Sequence, residues 1–189
     1  MLIRSLIGLS ILLLAASQAF SQKTGSAISS QIRSLKAEKT IEYTFDSGSG
    51  SAKVMARADN FDAKEASKAG IQAIDFGMAF VFAGPDLEQT PETINLTFWI
   101  LTKKPQFAAS NSLIVSLAGE TLDLGDARYA AKPGEQMEYL NFKIKRDDLA
   151  KIANASSVKF RLGPSDFTFT PGHLAILRNM IAISDAKPK

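Results

Sequence analysis

The chain has 189 residues, no cysteine, one histidine and a formal net charge of +3. The lack of cysteine excludes disulfides, thiol catalysis, cysteine-ligated zinc and iron–sulfur clusters, and a single histidine excludes a multi-histidine metal site. So mild a net charge argues against nucleic acid as a partner. The export that residues 1–21 predict argues against it too.

Residues 1–21 are predicted to be a secretory signal peptide. Arg4 precedes an apolar run at 6–16, and small residues follow at the positions that a signal peptidase requires. Cleavage after Ser21 fits this pattern, and cleavage after Ala19 is the alternative. The run is shorter than the roughly 20 residues of a spanning helix, so we expect cleavage rather than a retained anchor. The protein is therefore expected in the periplasm or outside the cell, and not integral to the membrane.

The remainder divides into three parts. Residues 22–39 form a polar leader, with apolar residues at helical spacing that also permit a short helix. Residues 40–184 are predicted to form a single domain, which is long enough to bury a core. Residues 185–189 are a polar tail.

The first half of the domain alternates between apolar and polar residues, as strands do. Segments 41–45 and 52–58 are predicted to pair as a hairpin around the Gly/Ser loop 46–51. Segment 60–70 permits a short helix. The next strand, 71–82, has large apolar residues on one face and small ones, including Gly77, on the other, so we expect another layer to pack closely there.

Strand 94–101 is apolar on both faces, which predicts a central position in its sheet with burial on both sides. Further strands are predicted at 113–117, at 121–124, around Tyr129 and at 137–144, with a turn at 132–135.

The C-terminal part contains the clearest local patterns. Asp147 is predicted to cap a short helix at 147–154 that crosses between sheets. Two short strands follow, with apolar residues at alternate positions from Val158 to Leu162 and then at Phe167 and Phe169. Thr170-Pro171 then predicts the capped start of an amphipathic helix. About nine short strands and few helices predict a mainly β fold, an antiparallel β-sandwich of immunoglobulin-like or jelly-roll-like type, with the C-terminal helix covering one edge or end.

The last third resembles the ending of exported bacterial β-sandwich proteins of uncharacterised function. The matching stretches are Tyr139–Phe142, Val158–Gly163, Phe167–Thr170 and Leu174–Arg178. The resemblance implies a β-sandwich and export, and it implies no activity and no site residues.

Few residues suggest catalysis. His173, in the first turn of the C-terminal helix, is a candidate general base with Asp166 as its nearest acid in sequence, and the alternative is an exposed residue without a role. The loop 46–51 could cradle an anion with its backbone N–H groups, but it lacks the phosphate-loop pattern, so a flexible hairpin loop is the favoured interpretation.

Two surfaces could bind a partner. Four cations, Lys143, Lys145, Lys159 and Arg161, share one face if their strands are neighbours. The second candidate, a sugar-stacking platform, would consist of Trp99, Phe98 and Phe107, although mid-strand positions favour burial in the core.

The sequence therefore predicts an exported, non-catalytic binding or structural module of the bacterial envelope or secreted space, with a protein or a glycan as partner. No catalytic, cofactor-binding or metal-binding residue is nominated. The alternative is a secreted hydrolase or glycan-active enzyme whose site is dispersed over strand ends and lies near His173 or the loop 46–51.

Overall fold

The computed structural model describes residues 41–58, 61–131 and 136–185. The strands are β1 (Ile41–Asp46), β2 (Ser51–Ala58), β3 (Ile71–Ala83), β4 (Thr93–Thr102), β5 (Ser112–Leu117), β6 (Glu120–Asp126), β7 (Arg128–Ala131), β8 (Met137–Lys145), β9 (Lys159–Leu162) and β10 (Ser165–Thr168). The helices are α1 (Ala63–Lys68), α2 (Arg146–Asn154) and α3 (Pro171–Ser184).

The strands form two antiparallel sheets. The six-stranded sheet has the order β1-β2-β3-β4-β8-β7, and the four-stranded sheet has the order β10-β9-β5-β6. The chain passes from one sheet to the other after β4, after β6 and through α2, which joins β8 to β9. The predicted mainly β, antiparallel sandwich with a short crossover helix and a C-terminal helix is confirmed.

Alternation along the strands places their apolar side chains in the core. On β3, Ile74, Phe76, Met78 and Phe80 are all buried. The predicted hairpin is present as β1 and β2, with Ile41 opposite Ala56. β4 lies between β3 and β8, so its predicted central position is also confirmed.

Phe61 joins the layers of the fold. Its ring centroid lies 5.6 Å from Phe76 of the larger sheet, 5.3 Å from Phe160 of the smaller sheet and 4.4 Å from His173 of α3. Aromatic pairs at these separations add to the free energy of burial. The polar stretch around Phe61 predicts a short helix, which is present as α1, but it does not predict this central position.

The C-terminal helix packs on the inner side of the six-stranded sheet. Leu174, Leu177, Met180 and Ile183 are buried, and α3 contacts β2 and α2. Its contacts with the six-stranded sheet include β2, the strand next to the edge strand β1.

The start of α3 agrees with the prediction, whereas the start of α2 does not. The Thr170 hydroxyl accepts a hydrogen bond from the His173 N–H at 3.2 Å, and Pro171 is the first helical residue. Asp147 is not the cap of α2, because the helix begins one residue earlier and its N-cap is Lys145, which makes no side-chain capping bond. Asp147 lies instead in the first turn, where its charge is favourable to the helix dipole.

Several predictions fall outside the described residues. These are the signal peptide at 1–21, the leader at 22–39, the turn at 132–135 and the tail beyond residue 185. Within the part of the chain that the structure describes, no helix is both long and apolar enough to cross a membrane.

Candidate binding face

Trp99, the only tryptophan of the chain, lies on the outer face of the six-stranded sheet. Its neighbours Phe98 and Ile100 are fully buried on the inner face, so the alternation of the strand turns the indole outward, where it is partly exposed. The prediction of core burial is correct for Phe98 and Phe107 and wrong for Trp99. Because Trp99 is only partly covered, the outer side of β4 is not buried as completely as predicted.

The indole lies against the backbone of β3 at Gly77. A Cβ atom built on Gly77 would lie 2.6 Å from Trp99 Cη2 and 2.9 Å from the Ala56 carbonyl oxygen, so no larger residue fits there without displacement. The Arg57 guanidinium lies over the same indole, 5.5 Å from the ring centroid, which is a cation–π distance. The close packing predicted for the small side of β3 is thus provided by a side chain of the same sheet.

Polar and aromatic groups surround the indole at adjacent register positions. Tyr139 of β8 and Asp75 of β3 are the cross-strand partners of Trp99, and both are partly exposed. At the next outward position of β4 and β8, two residues away, the Asn141 side-chain amide donates a hydrogen bond to the Thr97 hydroxyl at 2.8 Å. We call Trp99, Tyr139, Asn141, Thr97 and Arg57 the Trp99 platform.

A shallow groove lies on the same outer face, nearer the β1 edge. It encloses about 320 Å³ and is lined by Glu42, Thr44, Asp46, Ser51, Lys53, Met55 and Val81. Val81 is 59% exposed in this groove. Met55 and Arg57 are alternate residues of β2, so the groove adjoins the Trp99 platform on one continuous surface.

The loop 46–51 borders this groove, and the Asp46 carboxylate accepts hydrogen bonds from other residues of the same loop. Asp46 accepts hydrogen bonds from the Ser49 hydroxyl at 2.8 Å and from the Gly48 N–H at 2.9 Å. These two bonds, the Ser49 bond above all, hold the pKa of Asp46 below its usual value. Asp46 is therefore a poor general acid, because that role requires a protonated carboxyl group.

A second groove, of about 440 Å³, lies on the outer face of the four-stranded sheet. The two acidic side chains that line this groove, Asp166 and Glu65, both accept hydrogen bonds from other residues of the protein. Asp166 accepts a hydrogen bond from Arg161 at 2.8 Å, which lowers the pKa of Asp166. Glu65 accepts one bond from the Thr168 N–H and one from its hydroxyl, each at 3.0 Å. Glu65 thereby covers part of the free edge of β10.

The predicted four-cation face does not form. Lys143 and Lys145 belong to β8 in the six-stranded sheet, whereas Lys159 and Arg161 belong to β9 in the four-stranded sheet. The crossover helix α2 moves the chain to the other sheet between them. Arg161 is moreover paired with Asp166, so its charge is locally compensated.

His173 is buried, with 4% of its surface exposed, and is not an exposed residue at the helix start. Its Nδ1 accepts a hydrogen bond from the Thr170 N–H at 3.2 Å, and its ring packs against Phe61 and Phe76. Asp166, the acid predicted as its neighbour, pairs with Arg161. Both the geometry and the burial describe a capping and packing residue.

Glu138 is a buried carboxylate that no local sequence pattern indicates. It is 1% exposed and accepts hydrogen bonds from the Thr102 hydroxyl at 2.9 Å and from the backbone N–H groups of Gln106 and Phe107 at 3.0 Å. The pKa of Tyr129 is raised, mainly because the phenol is partly buried. The negative charge of Glu138 and a hydrogen bond between the two side chains raise it further. The carboxylate fixes the chain after β4, and its position opposite a Thr 36 residues away could not be read from local pattern.

Within residues 41–58, 61–131 and 136–185, no three His, Asp or Glu side chains are grouped so as to hold a metal ion. Comparison of the chain with protein-family models, with curated proteins and with solved structures finds no significant match. The geometry of the described residues is therefore the basis for the functional proposal.

Proposed function

We propose that this protein is an exported, non-catalytic β-sandwich module that binds its partner through the outer face of the six-stranded sheet. The observation that carries the proposal is the Trp99 platform, in which a partly exposed indole and a partly exposed phenol lie side by side on an open sheet. Tryptophan, tyrosine and arginine are the residues that most often dominate the binding energy of protein–protein interfaces. Trp99, Tyr139 and Arg57 bring all three types together.

The state of three of the four acidic groups that line the two grooves, all except Glu42, supports binding over catalysis. Asp46 and Asp166, which line the two grooves, are held in their charged forms by hydrogen bonds from their own neighbours. Glu65 is committed to the edge of β10, and His173 to the core. A dispersed hydrolase site needs a titratable group that is free to exchange a proton with a substrate.

Export is supported by residues 1–21, with their basic start, apolar run and small residues at the cleavage positions. Deleting these residues is expected to leave the protein in the cytoplasm of an expressing bacterium. Cell fractionation of the intact and shortened chains measures this directly. Equal distribution of the two chains between the fractions would contradict the export proposal.

The binding role can be tested by co-sedimentation with washed bacterial envelope fragments, used either untreated or after protease treatment. The wild-type protein is expected to sediment with at least one preparation. Tyr139→Ala and Arg57→Glu are expected to lose retention, since both change the Trp99 platform. Lys159→Glu is the matched control, because it alters a charge on the outer face of the other sheet.

Retention that is equal in all four proteins, or absent in all four, overturns the proposed binding face. Retention of the wild type that disappears after protease treatment keeps the binding role and identifies a protein partner. Retention that survives protease treatment keeps the binding role and leaves the glycan and lipid components of the envelope as partners.

A further inference from the structure

We infer that the ligand of this face is an acidic glycan, bound where the Trp99 platform adjoins three exposed cations. These are Arg128 of β7 and Lys143 and Lys145 of β8, which we call the basic end of the face. The inference rests on the proposed binding function and adds the chemical class of the ligand. Its support comes from the register of the cations, the lack of acids beside them and the polar groups between them.

The strand register places the three cations on one outward surface. Arg128 is the cross-strand partner of Asn141, which belongs to the Trp99 platform, and Lys143 is the next outward residue of β8. Lys145 follows two residues later on the same face. Outward residues of one strand lie roughly 7 Å apart, so the basic end extends about 14 Å along β8 from the row of Asn141. The cations therefore continue the Trp99 platform toward the end of this strand.

No acidic side chain shares the outward surface of β4, β7 and β8. The single acid within these three strands is Glu138, and it is buried on the inner side. Acids close to the strands in sequence lie elsewhere: Glu92 precedes β4, and Asp126 ends β6 of the other sheet. Asp147 belongs to α2, where it contacts Arg146. Like charges without neighbouring counter-charges produce a positive potential that attracts anions.

The cations of the basic end are also unpaired within residues 41–58, 61–131 and 136–185. In these ranges Arg146, Lys151 and Arg161 form ion pairs, whereas no cation of the basic end does. Nearer β1, by contrast, Lys53 shares its groove with Glu42. The basic end therefore presents three uncompensated positive charges, which favour an anionic ligand over a neutral one.

Polar side chains that suit sugar hydroxyls lie among the cations. Asn95 is exposed and is the cross-strand partner of Lys143, and Thr93 is the partner of Lys145. The Trp99 platform adds a further amide and a further hydroxyl beside them. A sugar hydroxyl both donates and accepts hydrogen bonds, as amide and hydroxyl side chains do. An acidic glycan carries anions and hydroxyls together, so both of its polar groups meet matching partners on this surface.

The surroundings of the basic end suit a lipid bilayer or a protein less well. Among the described residues, the large hydrophobic side chains exposed by more than a third are Phe45, at 40%, and Val81, at 59%. Phe45 lies on the opposite face of β1, and Val81 lies in the groove on β3. Peripheral membrane binding combines cations with apolar side chains that insert among the lipids. A protein interface of ordinary size covers about 800 Å² on each partner around an apolar centre.

A nucleic acid would find the cations but no free tryptophan on which to stack. Proteins that hold single strands combine a basic groove with aromatic rings that stack on the bases. The Arg57 guanidinium lies over the Trp99 indole, so this ring is not open to a base. An acidic glycan needs no such stack, because its charges and hydroxyls supply the contacts.

The test is a calorimetric titration of the purified protein with two acidic glycans, oligogalacturonate and phosphomannan chains, and with fully methyl-esterified oligogalacturonate as the neutral counterpart. The first carries carboxylates and the second phosphates, so the two distinguish the sources of negative charge. Saturable binding of at least one acidic glycan is expected, with none of the methyl ester. Raising the salt concentration from about 50 to about 200 mM should weaken binding roughly tenfold, because several ionic contacts are involved.

Lys143→Glu and Arg128→Glu are each expected to weaken binding by about fivefold or more, because each reverses a charge at the basic end. Both side chains are exposed, so the variants should fold, which circular dichroism checks. Lys143→Gln gives the same test with a smaller expected loss if the reversed charge disturbs the strand. Lys159→Glu is the matched control, an exposed lysine on the outer face of the other sheet, and it should bind as the wild type does.

Equal binding of the acidic glycans and the methyl ester, or no binding of any of them, overturns the inference. Equal affinity in all variants also overturns it, because the basic end would then not be the site. Vesicles of phosphatidylglycerol and oligothymidylate are titrated alongside as other anions. If either binds as tightly as the acidic glycans, the inference is overturned and a lipid or a nucleic acid is identified instead.

The proposed binding function is judged separately, by retention on envelope fragments and its loss in Tyr139→Ala and Arg57→Glu. Retention without binding of any acidic glycan therefore keeps that function and overturns only the assignment of the ligand. Retention that protease treatment abolishes identifies a protein partner and overturns the glycan as well.

Discussion

At the scale of single residues, Gly77 and Glu138 show how a position can be constrained by a distant partner. Gly77 lies beneath the Trp99 indole, and Glu138 collects donors from the chain that follows β4. Neither residue stands out in the sequence, where Gly77 is one small residue of a strand and Glu138 one polar residue of another. Their roles come from contacts with residues of neighbouring strands and of the loop after β4, which local alternation does not encode.

Gly77→Ala is expected to destabilise the protein by about 1–3 kcal/mol, because its methyl group meets the Trp99 ring and the Ala56 carbonyl. Denaturant unfolding measures the free energy, and a red shift of tryptophan emission reports displacement of the indole. Gly172→Ala is the matched control: it lies in α3 with only an ordinary contact, 3.6 Å from the Thr170 hydroxyl, and we expect no loss of stability. Equal stability of the two variants would contradict the packing of Trp99 on Gly77.

Glu138→Gln is expected to cost about 1–3 kcal/mol of unfolding free energy, because one carboxylate oxygen becomes an N–H₂ group facing N–H donors. The variant should also lower the pKa of Tyr129 toward its usual value, since burial then acts without the neighbouring negative charge. Ultraviolet titration of the tyrosinates, with Tyr129→Phe to assign the transition, measures this shift. An unchanged Tyr129 titration would show that the carboxylate does not act on the phenol.

At the scale of elements, the strands and helices were largely predictable because each carries its own periodicity and end signals. Thr170-Pro171 determines the start of α3, and the alternation along β3 determines its inner face. The start of α2 differs by one residue from the predicted start, because an aspartate such as Asp147 is favourable both in the first turn of a helix and at its N-cap. The location of α3 on the inner side of the sheet depends on its contacts with β2 and α2, which its own periodicity does not specify.

Leu177→Ala is expected to reduce stability by about 2–5 kcal/mol, because Leu177 is fully buried where α3 packs in the core. Ile181→Ala on the same helix is the control, since Ile181 is only partly buried and should lose less. Thermal and denaturant unfolding followed by circular dichroism compare the two. A negligible loss for Leu177→Ala would mean that α3 is not docked.

At the scale of the whole molecule, the two sheets and the helices share one apolar core. Phe61 contacts the larger sheet, the smaller sheet and α3 within it. This arrangement also separates the two outer faces. The cations of β8 and β9 therefore lie on different sheets, and the predicted common basic face does not exist. The larger sheet instead presents the Trp99 platform outward.

Phe61→Ala is expected to cost about 3–5 kcal/mol, because a buried ring that bridges both sheets and α3 leaves a cavity between them. Phe45→Ala, at an exposed ring on β1, should change stability by no more than about 0.5 kcal/mol. The comparison uses denaturant unfolding of both variants. Similar losses would show that Phe61 does not hold the layers together.

The order and type of the elements, the mainly β class and the predicted export follow from the amino-acid pattern, because alternation, turn residues and helix caps act over a few neighbouring positions. Tertiary structure decided which sheet each strand joined and which faces stayed open. Trp99 and Phe98 are adjacent and both aromatic, yet only the second layer determines that Phe98 enters the core and Trp99 faces outward. Burial depends on contacts between residues far apart in the chain, and a local period is the same whichever side is covered.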